Sequence, residues 1–446
     1  MNQAAIKKLS RELDAFIEQL TSDMGRPERR AAMGLYLTGL LLDGERKSIE
    51  PMAARLVDSA DEVQAMRQRL QQCVVVAEWA EKETFARIAG MVEHEMPDVE
   101  ALVLDDTGFA KKGTHSVGVQ RQYSGTLGRT ENCQVATSLH LAGEVGSACI
   151  GMRLYLPESW ASDPIRRRKA GIPDDVQFAE KWRIALALLD DAFAAGVRKH
   201  VVLADAGYGD IGDFRRELAA RDLRYVVGVA GKHVVWPPAA NPQRKAIDGG
   251  KHVAYVDKRH PPITIADFAE TLSYRRVRWR DGTRGVQRSR FAATRVRLAS
   301  EHRRGRPPGE PVWLLSWWPE EESKPAKFWL SNLPAGTSIK RLVQFAKLRW
   351  RIERDYQEMK GELGLDHFEG RTWRGFHHHA ALCAAAHAFL ALRRALFPPE
   401  QDPLDPPFGQ TSPAAGTAAP AAFVSAVRPP DYAGSTTAGV LTDVIE

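Results

Sequence analysis

Two short apolar runs in this chain each end in aspartate: Leu102-Val103-Leu104-Asp105-Asp106 and His200-Val201-Val202-Leu203-Ala204-Asp205. A third segment, Arg349-Trp-Arg-Ile-Glu353-Arg-Asp-Tyr-Gln-Glu-Met-Lys360, spaces Arg349, Glu353 and Lys360 by four and seven residues. On a helix turning ~100° per residue, those three side chains fall within roughly 40° of one another. Runs as apolar as the first two read as buried strands. The pattern therefore predicts an α/β fold in which two strand ends and one helix bring carboxylates together.

A carboxylate flanked by two cations is a natural way to hold a metal ion against a phosphate. Magnesium takes oxygen ligands and keeps several waters, so two or three carboxylates plus a substrate phosphate suffice. Two ions ~3.5–4 Å apart can stabilise both the attacking and the leaving oxygen of an in-line displacement. Asp105 and Asp106 are neighbours on a strand and point to opposite faces, so only one can look into such a site; the spacing does not choose between them. Each element also has a plainer use. Asp105-Asp106-Thr107-Gly108 can be a turn, Asp205 can cap a following helix, and Glu353 can pair with Arg349 for only ~0.3–0.5 kcal/mol. Their joint occurrence, in order and in these elements, favours the carboxylate trio.

The 446 residues suffice for two or three domains and a sizeable core. Apolar residues make up 44% of the chain, ordinary for a globular protein. The longest helix-like apolar stretch, near 380–395, is interrupted by His387, Arg393 and Arg394 and falls short of a spanning helix. The opening residues lack the apolar region of a secretory signal, so a cytoplasmic location is expected. Four scattered cysteines, Cys73, Cys133, Cys149 and Cys383, have no zinc-site spacing and are expected to pack as small apolar side chains. Net charge is +6 and the isoelectric point about 9.1. The charge is uneven: residues 274–306 carry Arg275, Arg276, Arg278, Arg280, Arg284, Arg288, Arg290, Arg295, Arg297, Arg303, Arg304 and Arg306. Arginine-rich strands suit a phosphate backbone, although a solvated hairpin face has the same composition.

Residues 1–95 read as helical, with Leu9, Leu13, Phe16, Ile17 and Leu20 at helical spacing. Such a module suits DNA-end recognition and suits packing or dimerisation equally. Strands are predicted near Leu102, over 134–141 and over 148–156. A polar basic loop is predicted over 164–173 and a long helix over 175–197, with Phe178, Trp182, Ala185, Leu186 and Leu189 on one stripe. Strand 200–204, helix 211–221 and strand 224–229 follow. This order fits a ribonuclease H-like mixed sheet flanked by helices, with a catalytic core over 96–230 and 334–397. Residues 231–333 read as a β-rich insertion, 338–363 as one helix carrying the Arg-Glu-Lys face, and 377–397 as a second. The Pro/Ala-rich tail over 398–446 is expected to be disordered. His377-His378-His379 point in different directions on a helix and predict a cap or surface role rather than a metal site.

The chain resembles DDE transposases of bacterial insertion sequences, in the branch with a Tyr-x2-Arg-x3-Glu-x6-Lys signature. Arg349, Glu353 and Lys360 match that spacing, while Ala346 stands where the tyrosine would be. The stretch from Asp105 to Gly128, Leu203-Ala-Asp-Ala-Gly-Tyr-Gly209 and Gly361-Glu-Leu-Gly-Leu-Asp-His-Phe-Glu-Gly-Arg-Thr-Trp373 are similar to one subfamily, and the resemblance covers about 30 to 395. It implies metal-dependent excision and strand transfer of an insertion sequence. Hydrolytic nicking would leave a 3′-hydroxyl that attacks the other strand, or target DNA. A threonine follows the first catalytic aspartate in the family, which selects Asp106, before Thr107. The implied metal-holding catalytic trio is Asp106, Asp205 and Glu353, with two Mg2+ ions and Mn2+ able to substitute. Arg349 and Lys360 would contact phosphates of the transposon end, with Lys111 and Lys112 as further phosphate contacts. Trp329 is the candidate for stacking a flipped base, with Trp313, Trp317 and Trp318 as competitors. The implied partners are double-stranded DNA (terminal repeats and target) and a second copy in a homodimer, with no membrane and a nucleoid-associated location in a bacterium. The alternatives are a catalytically silent DNA-binding relic of a transposase and a structure-specific nuclease on the same core.

Overall fold

The computed structural model describes residues 3–282, 285–299 and 307–396. Arg284, Arg303, Arg304, Arg306 and the tail expected to be disordered lie outside the described residues.

Five helices lead in: α1 (Gln3–Thr21), α2 (Pro27–Leu41), α3 (Ile49–Leu56), α4 (Val63–Gln71) and α5 (Glu81–Glu95). Their apolar stripes turn inward, with Leu9, Leu13, Phe16 and Leu20 of α1 all buried. Four strands follow, β1 (Val99–Ala110), β2 (Gln120–Ser124), β3 (Arg129–Gly143) and β4 (Ser147–Leu154), with β3 pairing all three others. Then come α6 (Glu158–Ala161), α7 (Pro164–Ala170), α8 (Lys181–Ala194), β5 (Val201–Ala204), α9 (Ala206–Gly209), α10 (Gly212–Ala220) and β6 (Tyr225–Val229). The β-rich stretch supplies β7 (Val234–Trp236), β8 (Gln243–Ile247), β9 (His252–Val256), β10 (Ile263–Thr264), α11 (Ile265–Glu270), β11 (Arg275–Gly282), β12 (Gly285–Leu298), β13 (Val312–Trp318) and β14 (Lys327–Ser331). The chain closes with α12 (Ile339–Leu348), α13 (Trp350–Gly361) and α14 (Trp373–Leu396).

Among the described residues twelve strands form one mixed sheet, ordered β10-β7-β12-β13-β14-β6-β5-β1-β3-β2, with β11 on β12 and β4 on β3. Only β1–β5 and β5–β6 run parallel, as crossovers through helices require. The architecture is the mixed α/β sheet of a ribonuclease H-like fold. Because β14 pairs antiparallel with β6, the β-rich stretch continues this sheet instead of standing beside it; the β8–β9 hairpin alone is separate.

Helix α14 is buried on every face from Gly375 to Leu392, which explains its lack of a polar stripe. It packs on β4 and on α2 and α5, with Phe16 against Phe389 at 5.4 Å. Residues 1–95 thus share the core of the sheet and have no separate core. No helix among the described residues is long and apolar enough to cross a membrane. The four cysteines are free and buried.

Four expectations require correction. His377, His378 and His379 are buried rather than capping or surface groups. Each is bound separately: His377 Nδ1 to the Trp373 carbonyl, His378 to the carbonyls of Val74 and Trp79, and His379 to Tyr36 Oη and the Gly364 carbonyl. Residues 164–170 are helical rather than loop, because Asp163 caps the N–H groups of Ile165 and Arg166 and Gly171 ends the turn at φ 63°. The predicted helix over 175–197 starts only at Lys181, leaving Phe178 in the preceding loop. The predicted single helix over 338–363 breaks at Arg349, where the Ile352 N–H bonds to the Arg349 carbonyl in a tighter i→i+3 turn.

Candidate active site

Strand β1 carries Asp105 and Asp106 in its middle and not, as the run of residues suggested, at its end. On one side it pairs with β3 along its whole length, but its parallel pairing with β5 covers only Ala101–Val103. Beyond Val103 the β5 side of the sheet opens, and both aspartates line the crevice so formed. Asp205 follows β5 directly and caps α9, its Oδ1 accepting the Gly207 N–H at 2.9 Å. The α9 turn lies tight on β6, where a Cβ at Gly209 would collide with the Gly228 carbonyl. Gly108 is needed in the same way, since a Cβ there would run into Ser124 of the β2–β3 hairpin.

The pleat separates the two aspartates. Asp105 shares a face with Ser138, its partner on β3, and meets the α12–α13 corner. Its Oδ2 accepts from Arg349 Nη1 at 2.6 Å, and Arg349 Nη2 reaches Glu353 Oε1 at 3.3 Å. Asp106 turns the other way, toward α8 and α9, where it is held by Lys181 Nζ, Tyr208 Oη and, at 3.1 Å, Thr137 Oγ1. The Thr107 signal therefore selected the aspartate on the α8 side, and it is Asp105 that faces Arg349 and Glu353.

The electrostatics agree with this division. Burial would lower the pKa of Arg349, but Asp105, Asp205 and Glu353 act on it together and hold it above the usual value. Asp105 is pushed up to about 6, chiefly by burial; Arg349 opposes this, while Asp205 and Asp106 add to it. The cluster is short of positive charge. On the other face the Tyr208 hydroxyl is driven well above its usual range by burial and by Asp106.

These groups line one cavity of about 1230 Å³, together with Lys181, Lys360 and Tyr356. Lys360 Nζ donates to the Gly108 carbonyl at 2.8 Å; its pKa is lowered by burial. Lys111 lies outside this cavity and donates to the Phe368 carbonyl at 2.9 Å, while Lys112 is exposed. Trp329 is 9% exposed within β14, between Leu315 and Gly228. It packs in the core and does not face the cavity. Part of the arginine-rich stretch also serves the fold: Arg290 stacks on Trp318, Arg280 on Trp350, and Arg276 pairs with Glu320.

Lys181, Tyr208 and Tyr356 were missed by reading the sequence. Tyr208 lay in the Asp205-Ala-Gly-Tyr-Gly segment already singled out; Lys181 carried no signal, being 75 positions from Asp106.

The donors are carboxylate oxygens, the set that magnesium or manganese prefers, and the Asp105 carboxylate, whose pKa is raised chiefly by burial and further by Asp205 and Asp106, is relieved by a cation. The residues thus fit a divalent ion in kind. Among the described residues no three His, Cys, Asp or Glu side chains are gathered closely enough to hold one as they stand; Arg349 bonds to both Asp105 and Glu353.

Comparison with known proteins gives the family. A relative from Microchaete diplosiphon, described as "Probable transposase for insertion sequence element IS701", is 34% identical over 135 residues. That alignment covers 30% of this chain and 33% of the relative, so the chain spans about a third of the relative's length. The model of the DDE superfamily endonucleases matches residues 16–286, more than half of the chain, including both β1 aspartates and Asp205 but ending before Glu353. The chain belongs to the DDE superfamily endonucleases.

Proposed function

We propose that this chain is a divalent-metal-dependent DNA transposase of an insertion sequence, which cleaves the element's ends and joins them to target DNA. The observation that carries the reading is that Asp105, Asp205 and Glu353 all act on one guanidinium, that of Arg349, in a wide cavity lined by further cations. In this reading Asp105 takes the role first given to Asp106.

Asp105, Asp205 and Glu353 would hold the metal, which when bound offsets charge developing on the phosphoryl oxygens and makes water a better nucleophile. Arg349 and Lys360 bind the phosphates that flank the reacting bond. Asp106, with Lys181 and Tyr208, fixes the loop that presents Asp205. Two magnesium ions, replaceable by manganese, and a pair of protein copies bridging two element ends extend the reading through the resemblance to insertion-sequence transposases.

The test is incubation of the full chain with Mg2+ and labelled duplex DNA carrying the element's own end, beside Glu353→Ala. Metal-dependent cleavage and joining, lost in the variant while DNA binding persists, is expected. Cleavage without joined products would make the chain a nuclease. Binding without cleavage under Mg2+ and Mn2+ alike would make it a silent relic.

A further inference from the structure

Arg349 is seated on two carboxylates at once. Its Nη1 donates to Asp105 Oδ2 at 2.6 Å and its Nη2 to Glu353 Oε1 at 3.3 Å. The other Asp105 oxygen, Oδ1, accepts the Asp106 N–H at 2.8 Å. Both Asp105 oxygens are therefore engaged, and Oδ2 is released only when the guanidinium moves. The other cavity cations are held away from these two carboxylates: Lys360 donates to the Gly108 carbonyl and Lys181 to Asp106. A guanidinium keeps its charge at every working pH, so Arg349 cannot give way by losing a proton. It gives way by swinging aside, and its side chain, 28% exposed, lines a cavity wide enough to receive it.

A divalent ion arriving alone would leave this cation without a counter-charge, in a cavity that already holds Lys360 and Lys181. A phosphate arriving alone would meet Asp105, Asp205 and Glu353 with one guanidinium shared among them. When both arrive, the ion pairs with the carboxylates and the guanidinium with the phosphate. We propose that Arg349 is the resident counter-ion of Asp105 and Glu353, and that a divalent ion and a DNA phosphate enter together by displacing it, each raising the affinity for the other. The free protein is thereby kept in a state that holds the ion weakly until DNA is in place. The proposal rests on the reading of Asp105, Asp205 and Glu353 as the residues that hold the metal.

The test reads Mn2+ binding to the full chain from the loss of the free-ion electron paramagnetic resonance signal. It is run without DNA and with a duplex of the element's own end already cut at its terminus, against the same duplex without protein. Without DNA, Arg349→Gln should bind Mn2+ about tenfold more tightly than the wild type or better, a usual size for coupling between two sites. Lys360→Gln removes the same charge from the same cavity without touching a carboxylate, and should change Mn2+ affinity by no more than about threefold. The duplex should tighten Mn2+ binding to the wild type by about tenfold or more, Mn2+ should tighten duplex binding by the same factor, and Arg349→Gln should show a smaller coupling. Arg349→Lys, which keeps the charge and loses the fork, should gain Mn2+ affinity by a smaller factor, and carries the test should Arg349→Gln fail to fold. An Arg349→Gln protein that binds Mn2+ no more tightly than the wild type would overturn the displacement, as would an equal gain in Lys360→Gln. A wild type that binds no Mn2+ with or without DNA removes the metal-dependent reading, and the proposal falls with it; a wild type that binds Mn2+ equally well in both conditions removes the displacement alone.

Discussion

Glu353 and Asp355 stand two residues apart on α13 and have opposite surroundings. The Glu353 side chain is 69% exposed and, among the described residues, bonds to Arg349 alone. Asp355 is buried and fully partnered: His140 Nδ1 lies 2.7 Å from its Oδ2, Ser147 Oγ donates to Oδ1 at 2.7 Å, and His387 Nε2 stands 3.7 Å away. Glu358, one turn on, adds Arg394 and His387. Burial would raise Asp355, yet bonds from His140 and Ser147 and the nearby charges hold its pKa below the ordinary value. Asp105, its side chain 17% exposed, is raised to about 6 because desolvation prevails over its one cation. The compensated carboxylates lock α13 to β3 and α14, and the uncompensated ones are left to a ligand.

The largest test separates the two β1 aspartates. Asp105→Asn should slow cleavage by on the order of a thousandfold or more, equivalent to several kcal/mol of metal-assisted stabilisation. Asp106→Asn should cost about tenfold, the lower end of what is lost when a group that orients a metal ligand is removed. Single-turnover rates at saturating DNA would show this order, and the reverse order would restore Asp106 as the metal-holding residue.

Next in size is the buried side. Asp355→Ala should lower the unfolding free energy by about 3–5 kcal/mol, because His140 and His387 lose the carboxylate they surround. Urea unfolding measures it, and a loss below about 1 kcal/mol, the level of one neutral hydrogen bond, would end the contrast between compensated and uncompensated carboxylates.

The pH dependence should have opposite signs at the two places. Asp105 titrates higher folded, at about 6, than its ordinary 3.8. Its protonated form is favoured by the fold, so stability is lost as pH rises from about 4 to about 6, by about 3 kcal/mol. Asp355 titrates lower folded; its contribution is present above 3.8 and disappears as pH falls through the folded value. Wild type compared with Asp105→Asn between these pH values should isolate the first effect, and Mg2+ should restore the wild type's loss near pH 7. A pH slope unchanged by the substitution would contradict the charge deficit.

The smallest effect belongs to Tyr356, which lines the cavity and bonds to Ser138 Oγ at 2.6 Å. Tyr356→Phe should cost about 1 kcal/mol of stability, since Ser138 keeps His140 as a partner, and should leave cleavage within a few-fold. A loss of activity as large as that of Asp105→Asn would join the two regions into one functional unit.

Much of this was legible in the chain. The strands leading to the aspartates, the ribonuclease H-like element order and the helix bearing Glu353 all follow from apolar runs and spacing. What could not be read has local causes. Within the loop expected over 164–173, residues 164–170 are helical because one cap and one left-handed glycine outweigh their polarity. Phe178 fits a helical stripe by spacing, but the helix begins three residues later. Trp329 looked available to DNA, whereas the antiparallel pairing of β14 between β13 and β6 buries it. The histidine run reads as capping or surface groups because nothing in its own spacing reveals that α14 is enclosed on all sides.

The sequence by itself determined which residue types gather: a pair of aspartates, an Asp after a strand, and an Arg-Glu-Lys helix face, because periodicity and strand length are local properties. Only the tertiary structure decided which member of the Asp105-Asp106 pair meets Arg349 and which meets Lys181 and Tyr208. That choice depends on which face of β1 each flanking helix covers, and helix placement is a property of the packed sheet that neighbouring residues in the chain do not encode.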